Sequence, residues 1–250
     1  MGVVTMAFSH YPHFFDCLWR GLKPLAESQV FVGECARLRT SVETQVHALN
    51  PQPVAQRLQS TGYAPRELDQ IRACIDVFSH GNFPYLLTAT AARRLLEGRE
   101  LGEPVRTPQF TGRHAPGVDV PFVLMESHHA DAGTREVYRD IMRTLGLPFV
   151  NTDYRALARW PSYFALAWNG LKPVIDTREH AGICMEVHQQ ANRLMGETLP
   201  NPGGLTASSL RAAAERDGDP VEILQVARLF QWLLPGLVTN VAFFRAQLTG

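Results

Sequence analysis

One segment of the chain occurs twice, in register and without a gap. Pro12, Phe15, Trp19, Gly21, Leu22, Lys23 and Pro24 recur as Pro161, Phe164, Trp168, Gly170, Leu171, Lys172 and Pro173, each displaced by 149 residues. A second, shorter echo pairs Phe83-Pro84-Tyr85-Leu86-Leu87-Thr88 with Leu234-Pro235-Gly236-Leu237-Val238-Thr239, displaced by 151. Chance recurrence of common helix residues is the alternative, and it is weaker for the longer echo. A duplicated unit constrains the fold to two related halves about a pseudo-twofold axis. A site between such halves would see different residues from each copy. The places where the copies differ are therefore where function is sought.

The hydrophobic pattern is helical. Phe31 to Val46 places Phe31, Cys35, Leu38 and Val42 at helical spacing, and a helix is expected to start at Pro65 and carry Leu68, Ile71, Cys74, Ile75 and Phe78. Tyr85 to Leu96, Thr134 to Leu145, Tyr154 to Asn169, Glu179 to Met195, Thr206 to Arg216 and Pro220 to Leu248 read the same way. Val120 to Met125 is the one fair strand candidate. The expected fold is all-α: residues 1–98 form a first helical repeat, residues 99–132 a surface linker, and residues 133–250 a second repeat. Together they would make one compact domain, an intramolecular pseudo-dimer. The linker region, Gly98 to Ala132, is rich in Pro and Gly. The helix expected before the second copy, around Val137 to Leu145, has no counterpart before the first.

Composition closes off several classes. The formal net charge is zero, with no basic excess for tracking phosphates, so a nucleic-acid partner is not expected. No run of 18 or more apolar residues occurs, so no membrane span is expected. The first residues lack a signal-peptide pattern. The four cysteines (Cys17, Cys35, Cys74, Cys184) have no close-paired spacing and read as reduced thiols in a cytoplasmic protein. No phosphate loop, dinucleotide fingerprint, nucleophile elbow or His-Glu-x-x-His zinc motif is present. His180, Cys184 and His188 share a helix face at i, i+4 and i+8. A closed zinc site draws four ligands from more than one element, so ordinary half-buried side chains are the better reading and no metal or cofactor is expected.

Two polar residues mark the mismatches between copies. Asp153 stands just before an apolar helical run, and the matching position in the first copy is Val4. An Asp there is an ordinary helix N-cap; the functional alternative is a carboxylate lining a cleft between the repeats. Asn82 precedes a Phe-Pro break, where Asn is commonly a turn former or cap. The second copy has Phe230 to Pro235 there, without the Gly81-Asn82 pair.

These segments carry a resemblance. Thr152-Asp153-Tyr154-Arg155-Ala156-Leu157-Ala158-Arg159-Trp160-Pro161 resembles the catalytic segment of the group I 2-haloacid dehalogenases. Phe78-Ser79-His80-Gly81-Asn82-Phe83-Pro84-Tyr85-Leu86-Leu87 is similar to their Asn-bearing segment. The resemblance spans nearly the whole chain. It implies an all-helical pseudo-dimer that hydrolyses short 2-haloalkanoic acids to 2-hydroxy acids. In that family an Asp deprotonates a water, which displaces halide from C2 with inversion. Asp153 would then be the base and Asn82 the group that holds the water. Thr152, through its hydroxyl or the N–H groups of the helix start, Ser28, Val3, Tyr85 and Trp232 would handle the substrate, with Trp232 in an apolar wall. The chemistry suits these types: water is a poor nucleophile until a positioned base takes its proton, and in-line attack needs that water oriented. A helix start acidifies a carboxylate, so a base there needs apolar surroundings.

The chain departs from the family pattern in two places. The acid expected one turn past Ser28 is replaced by Val32, with Glu34 on a different face. The aromatic of the lead-in stretch is replaced by Val3. A divergent or non-catalytic member that binds a small carboxylate is therefore the second reading, and a purely structural helical partner protein the third. The partners implied are a 2-haloacid and water; a homodimer is compatible with the fold.

Overall fold

The computed structural model describes residues 3–113, 115–117 and 123–249. It is all-α. In chain order the helices are α1 (Val3–Phe8), α2 (Pro12–Ala26), α3 (Gln29–Gln45), α4 (Ala55–Ser60), α5 (Pro65–Leu96), α6 (Ala132–Leu145), α7 (Thr152–Leu157), α8 (Pro161–Ile175), α9 (Arg178–Arg193), α10 (Ala207–Glu215) and α11 (Pro220–Thr249). A 3₁₀ turn extends α3 over Val46–Leu49, and a π turn ends α9 over Leu194–Thr198. Of the strand candidate, residues 120–122 lie outside the described set and residues 123–125 form no strand. Among the described residues α11 alone is long and apolar enough to cross a membrane by length and composition. Half of its most apolar stretch is buried in the protein, as in a core helix.

The displacement seen in the sequence also relates the helices. Shifting α1 by 149 residues gives the bounds of α7, and shifting α2 gives those of α8. The junctions match as well. Tyr11 before α2 has φ −120°, ψ 79°, and Trp160 before α8 has φ −115°, ψ 82°. Each precedes a proline, which drives the preceding residue out of the helical region. That is why the expected single helix from Tyr154 to Asn169 is two helices, with the break at Ala158–Trp160.

Pro84 has the opposite outcome. A helix break was expected beside Asn82, yet α5 runs through it from Pro65 to Leu96. Pro84 offers no N–H to the carbonyl a turn back, a penalty of about 3 kcal/mol. Phe83, Leu86 and Leu87 beside it are 3, 0 and 0 % exposed. Burial of such side chains contributes roughly 1.5–3 kcal/mol each, enough to hold the helix through the proline.

The chain clusters into two compact units, each assembled from three stretches. The first is Met1–Ser41, His80–His114 and Cys184–Leu237. The second is Val42–Ser79, Ala115–Ile183 and Val238–Gly250.

In the first unit α10 packs on α2, and Phe8 meets Phe14 and Phe230 edge-on at 5.2 and 6.1 Å. Part of the linker is fixed here: Gln29 N–H donates to the Pro108 carbonyl (2.9 Å) and Phe110 N–H to that of Glu27 (2.7 Å). Gly203 lies so close to α2 that an added Cβ would stand 2.0 Å from the Gly21 carbonyl oxygen. Backbone cannot yield as a side chain can. Gly203→Ala is expected to destabilise the protein by about 2–4 kcal/mol, lowering Tm by roughly 5–15 °C for a chain of this size. A thermal melt equal to wild type would refute the close approach.

Asp217 caps α2 from a distance in sequence. Its carboxylate accepts from the His13 and Phe14 backbone N–H groups at 3.1 and 2.7 Å, and lies 2.6 Å from His13 Nδ1. Burial alone would raise the Asp217 pKa, but these bonds together hold it below the usual carboxylate value. A pKa lower when folded than when unfolded gives stability that is present above the unfolded value and lost as pH falls through the folded one. Asp217→Asn should therefore flatten the acid limb of the stability profile, below about pH 4. Urea titrations from pH 2 to 7 check this; an unchanged limb would show that the cap is not linked to protonation.

In the second unit α6 covers α8. Asp140 of α6 accepts from Trp168 Nε1 (2.9 Å) and from Lys172 Nζ (2.8 Å), and Tyr138 meets Phe164 at 5.8 Å. Of the two repeated tryptophans Trp168 is packed, its ring 1 % exposed. Trp19, its counterpart, is 45 % exposed. α2 packs against α10, which leaves the Trp19 ring partly exposed.

Candidate active site

Asp153 sits in the first turn of α7 and is 3 % exposed. It is not the helix cap. Asn151 holds that position, with extended backbone and no side-chain cap bond. The short helix is pinned from outside. Met125 N–H donates to the Arg155 carbonyl at 2.9 Å, and Arg155 Nη1 bridges both Glu126 carboxylate oxygens at 2.7 and 2.9 Å. Tyr138 Oη donates to the Met125 carbonyl at 2.7 Å.

A buried polar chain holds the residue after Asp153. His180 Nε2 lies 2.9 Å from Asn240 Oδ1, and Asn240 Nδ2 donates to Tyr154 Oη at 3.0 Å. The amide oxygen can only accept, so His180 Nε2 is the donor in this bond. His180, Asn240 and Tyr154 are 5, 1 and 0 % exposed. Tyr154 also stacks edge-on with Trp168 and Phe244, both at 6.1 Å. Burial chiefly holds its phenol above the ordinary value, and the Asp153 charge adds to this. The His180 face thus serves a hydrogen-bond chain, and among the described residues no cluster of three His, Cys, Asp or Glu could hold a metal ion.

Cys74 of α5 lies within the field of the same carboxylate. Its pKa is pushed up to about 12, first by burial and then by the Asp153 charge, with Arg159 opposing. It stays a neutral thiol at physiological pH and is no nucleophile. None of the four cysteines forms a disulfide.

The other expected site residues fall as follows. Asn82 lies in α5, 6 % exposed, with Tyr85 one turn on and half-buried. Thr152 and Val3 are the first residues of α7 and α1, both half-buried. Ser28 is fully buried, and its hydroxyl accepts from Phe31 N–H at 3.2 Å, the bond of an N-cap on α3. Val32 is half-buried in the first turn of that helix. Trp232 does not form an apolar wall: it is 63 % exposed. It ends the outward stripe of α11, after Val221, Gln225 and Leu229 at helical spacing.

Residues 3–146 match the family model described as "Halocarboxylic acid dehydrogenase DehI". An (R)-2-haloacid dehalogenase of Rhizobium sp. (strain NHG3) is 50 % identical over 82 % of this chain and 79 % of its own length. The chain belongs to the 2-haloacid dehalogenase family. An (R)-2-haloacid dehalogenase of Pseudomonas putida extends the match to 99 % of this chain and 83 % of its own, at 37 % identity. A crystal structure of a D-2-haloacid dehalogenase mutant superposes with a TM-score of 0.89 at 35 % identity, covering 99 % of this chain and 86 % of that one. Two residues that the sequence reading did not single out lie near this acid by their electrostatics: Cys74, which feels the Asp153 charge, and Tyr163, which feels Cys74. The signal for Tyr163 was present: its counterpart 149 residues earlier is Phe14.

Proposed function

We propose that the protein hydrolyses short 2-haloalkanoic acids to 2-hydroxy acids, by direct attack of an Asp153-activated water with inversion at C2. The observation that carries this is the buried carboxylate of α7 at the place where α1 has the equally buried Val4, 3 against 4 % exposed. A frame that accepts valine has no structural need of an acid, and burying one is costly unless it is used. On this reading, as the family resemblance implies, Asn82 would hold the water and Thr152, Ser28, Val3 and Tyr85 would handle the substrate. Membership of the family, with two (R)-2-haloacid dehalogenases among the relatives, supports the (R) enantiomer as substrate.

The same reading takes the two copies as an intramolecular pseudo-dimer, supported by the shared bounds of α1 with α7 and α2 with α8. A cytoplasmic location and a homodimer belong to it as well; sedimentation at several concentrations tests the dimer. The test of function is halide release from (R)- and (S)-2-chloropropionate. Release from the (R) acid, giving the (S)-2-hydroxy acid, is the expected result. Absence of release from either enantiomer would overturn the proposal. Binding of the acid without turnover, read as a thermal shift, would instead favour the divergent carboxylate binder suggested by Val32.

A further inference from the structure

Tyr163 stands at the third residue of α8 and is 0 % exposed. Its hydroxyl has no hydrogen-bond partner among the described residues. Such a group is rare in a folded protein, because a buried hydroxyl without a partner loses its hydration for nothing. The duplication supplies an internal control. Phe14, the matching residue of α2, is also 0 % exposed and lacks the hydroxyl. The frame therefore accepts phenylalanine at this place, and packing does not explain the oxygen.

The location supplies the rest. The Tyr163 phenol is raised well above its ordinary value, first by burial and then by Cys74. Cys74 in turn lies in the field of Asp153. Both groups stay protonated, so each is a donor that brings no charge of its own. Asp153 and Tyr163 are also the two buried positions in this region where the second copy adds a polar group to an apolar residue of the first.

We propose that the Tyr163 hydroxyl is a hydrogen-bond donor to an anion bound at the Asp153 site, either the carboxylate of the 2-haloacid or its departing halide. This rests on the dehalogenase reading and extends it. In the reaction the C–X bond breaks with its electron pair going to the halide, and the new C–O bond forms from water, whose proton goes to Asp153. The Tyr163 proton is shared with the anion and not transferred. An aligned donor to a charged acceptor is the kind of group whose removal is felt in the transition state.

The experiment is Tyr163→Phe, assayed by halide release from the 2-chloro and 2-bromo acids of one carbon skeleton. The variant should fold, because Phe14 fills the equivalent place, and its Tm should be no lower than that of wild type. If the partner is the halide, kcat for the chloro acid should fall roughly 10- to 100-fold, with a smaller loss for the bromo acid. If the partner is the carboxylate, KM should rise by a similar factor for both halogens, with kcat ratios unchanged. Either pattern supports the donor. An active wild type with kcat and KM unaltered in the variant would overturn it. An inactive wild type would instead overturn the dehalogenase reading itself.

Discussion

Replacing Asp153 with Asn is expected to lower kcat for halide release by a factor of about 10²–10⁴, the usual contribution of a positioned general base. The change is close to isosteric; it replaces the carboxylate by a neutral amide and so removes both the charge and the ability to take a proton. The residue is 3 % exposed in a helix fixed at Arg155 by Met125 and Glu126, so its side chain has little freedom to be replaced by a neighbour. Asp153→Val makes the stronger test. Valine already occupies the same place in α1 at 4 % exposure, so this variant should keep its helical circular dichroism and lose turnover. Retention of full rate by either variant would exclude the water-activation mechanism. Loss of helicity in the valine variant would mean that the acid has a structural role which its counterpart does not share.

Trp168→Ala is expected to cost about 3–5 kcal/mol, and Trp19→Ala less than about 1 kcal/mol. The two residues hold the same position in the repeated segment and differ in what covers them. Trp168 is sealed under α6, where Asp140 receives its indole N–H and the Lys172 ammonium. These two bonds also hold the Asp140 carboxylate below its usual pKa, with Lys172 the larger cause. Truncation would leave a cavity and remove one donor from that carboxylate. Trp19 is 45 % exposed, and its Lys23 has only a loose pair with Glu27 at 3.8 Å. For a chain of this length the difference corresponds to roughly 5–20 °C in Tm. Equal losses in the two variants would show that the repeat, and not α6, sets the stability of this segment.

The pair of tryptophans shows how far the chain could be read in one dimension. The two occupy one position of the repeated segment, yet Trp168 is packed and Trp19 is not. Proline gives a second instance. Pro84 and Pro161 both follow an aromatic residue, and only the second interrupts its helix. Local sterics disfavour both, but the burial of Phe83, Leu86 and Leu87 outweighs the cost at Pro84. Trp232 was expected in a pocket wall by resemblance to the family, and in the fold it is 63 % exposed.

The sequence alone determined the helical class, the 149-residue register and the contrast of Asp153 with Val4. Those follow from spacing along the chain, where neighbours three or four residues apart define a helix face and a fixed displacement defines a copy. Tertiary structure decided which faces are covered, that Ser28 caps α3, that His180 joins a chain through Asn240 to Tyr154, and that the Tyr163 hydroxyl is buried without a partner among the described residues. Burial and hydrogen-bond satisfaction depend on elements that meet after dozens of residues of intervening chain, and no local period encodes which element arrives.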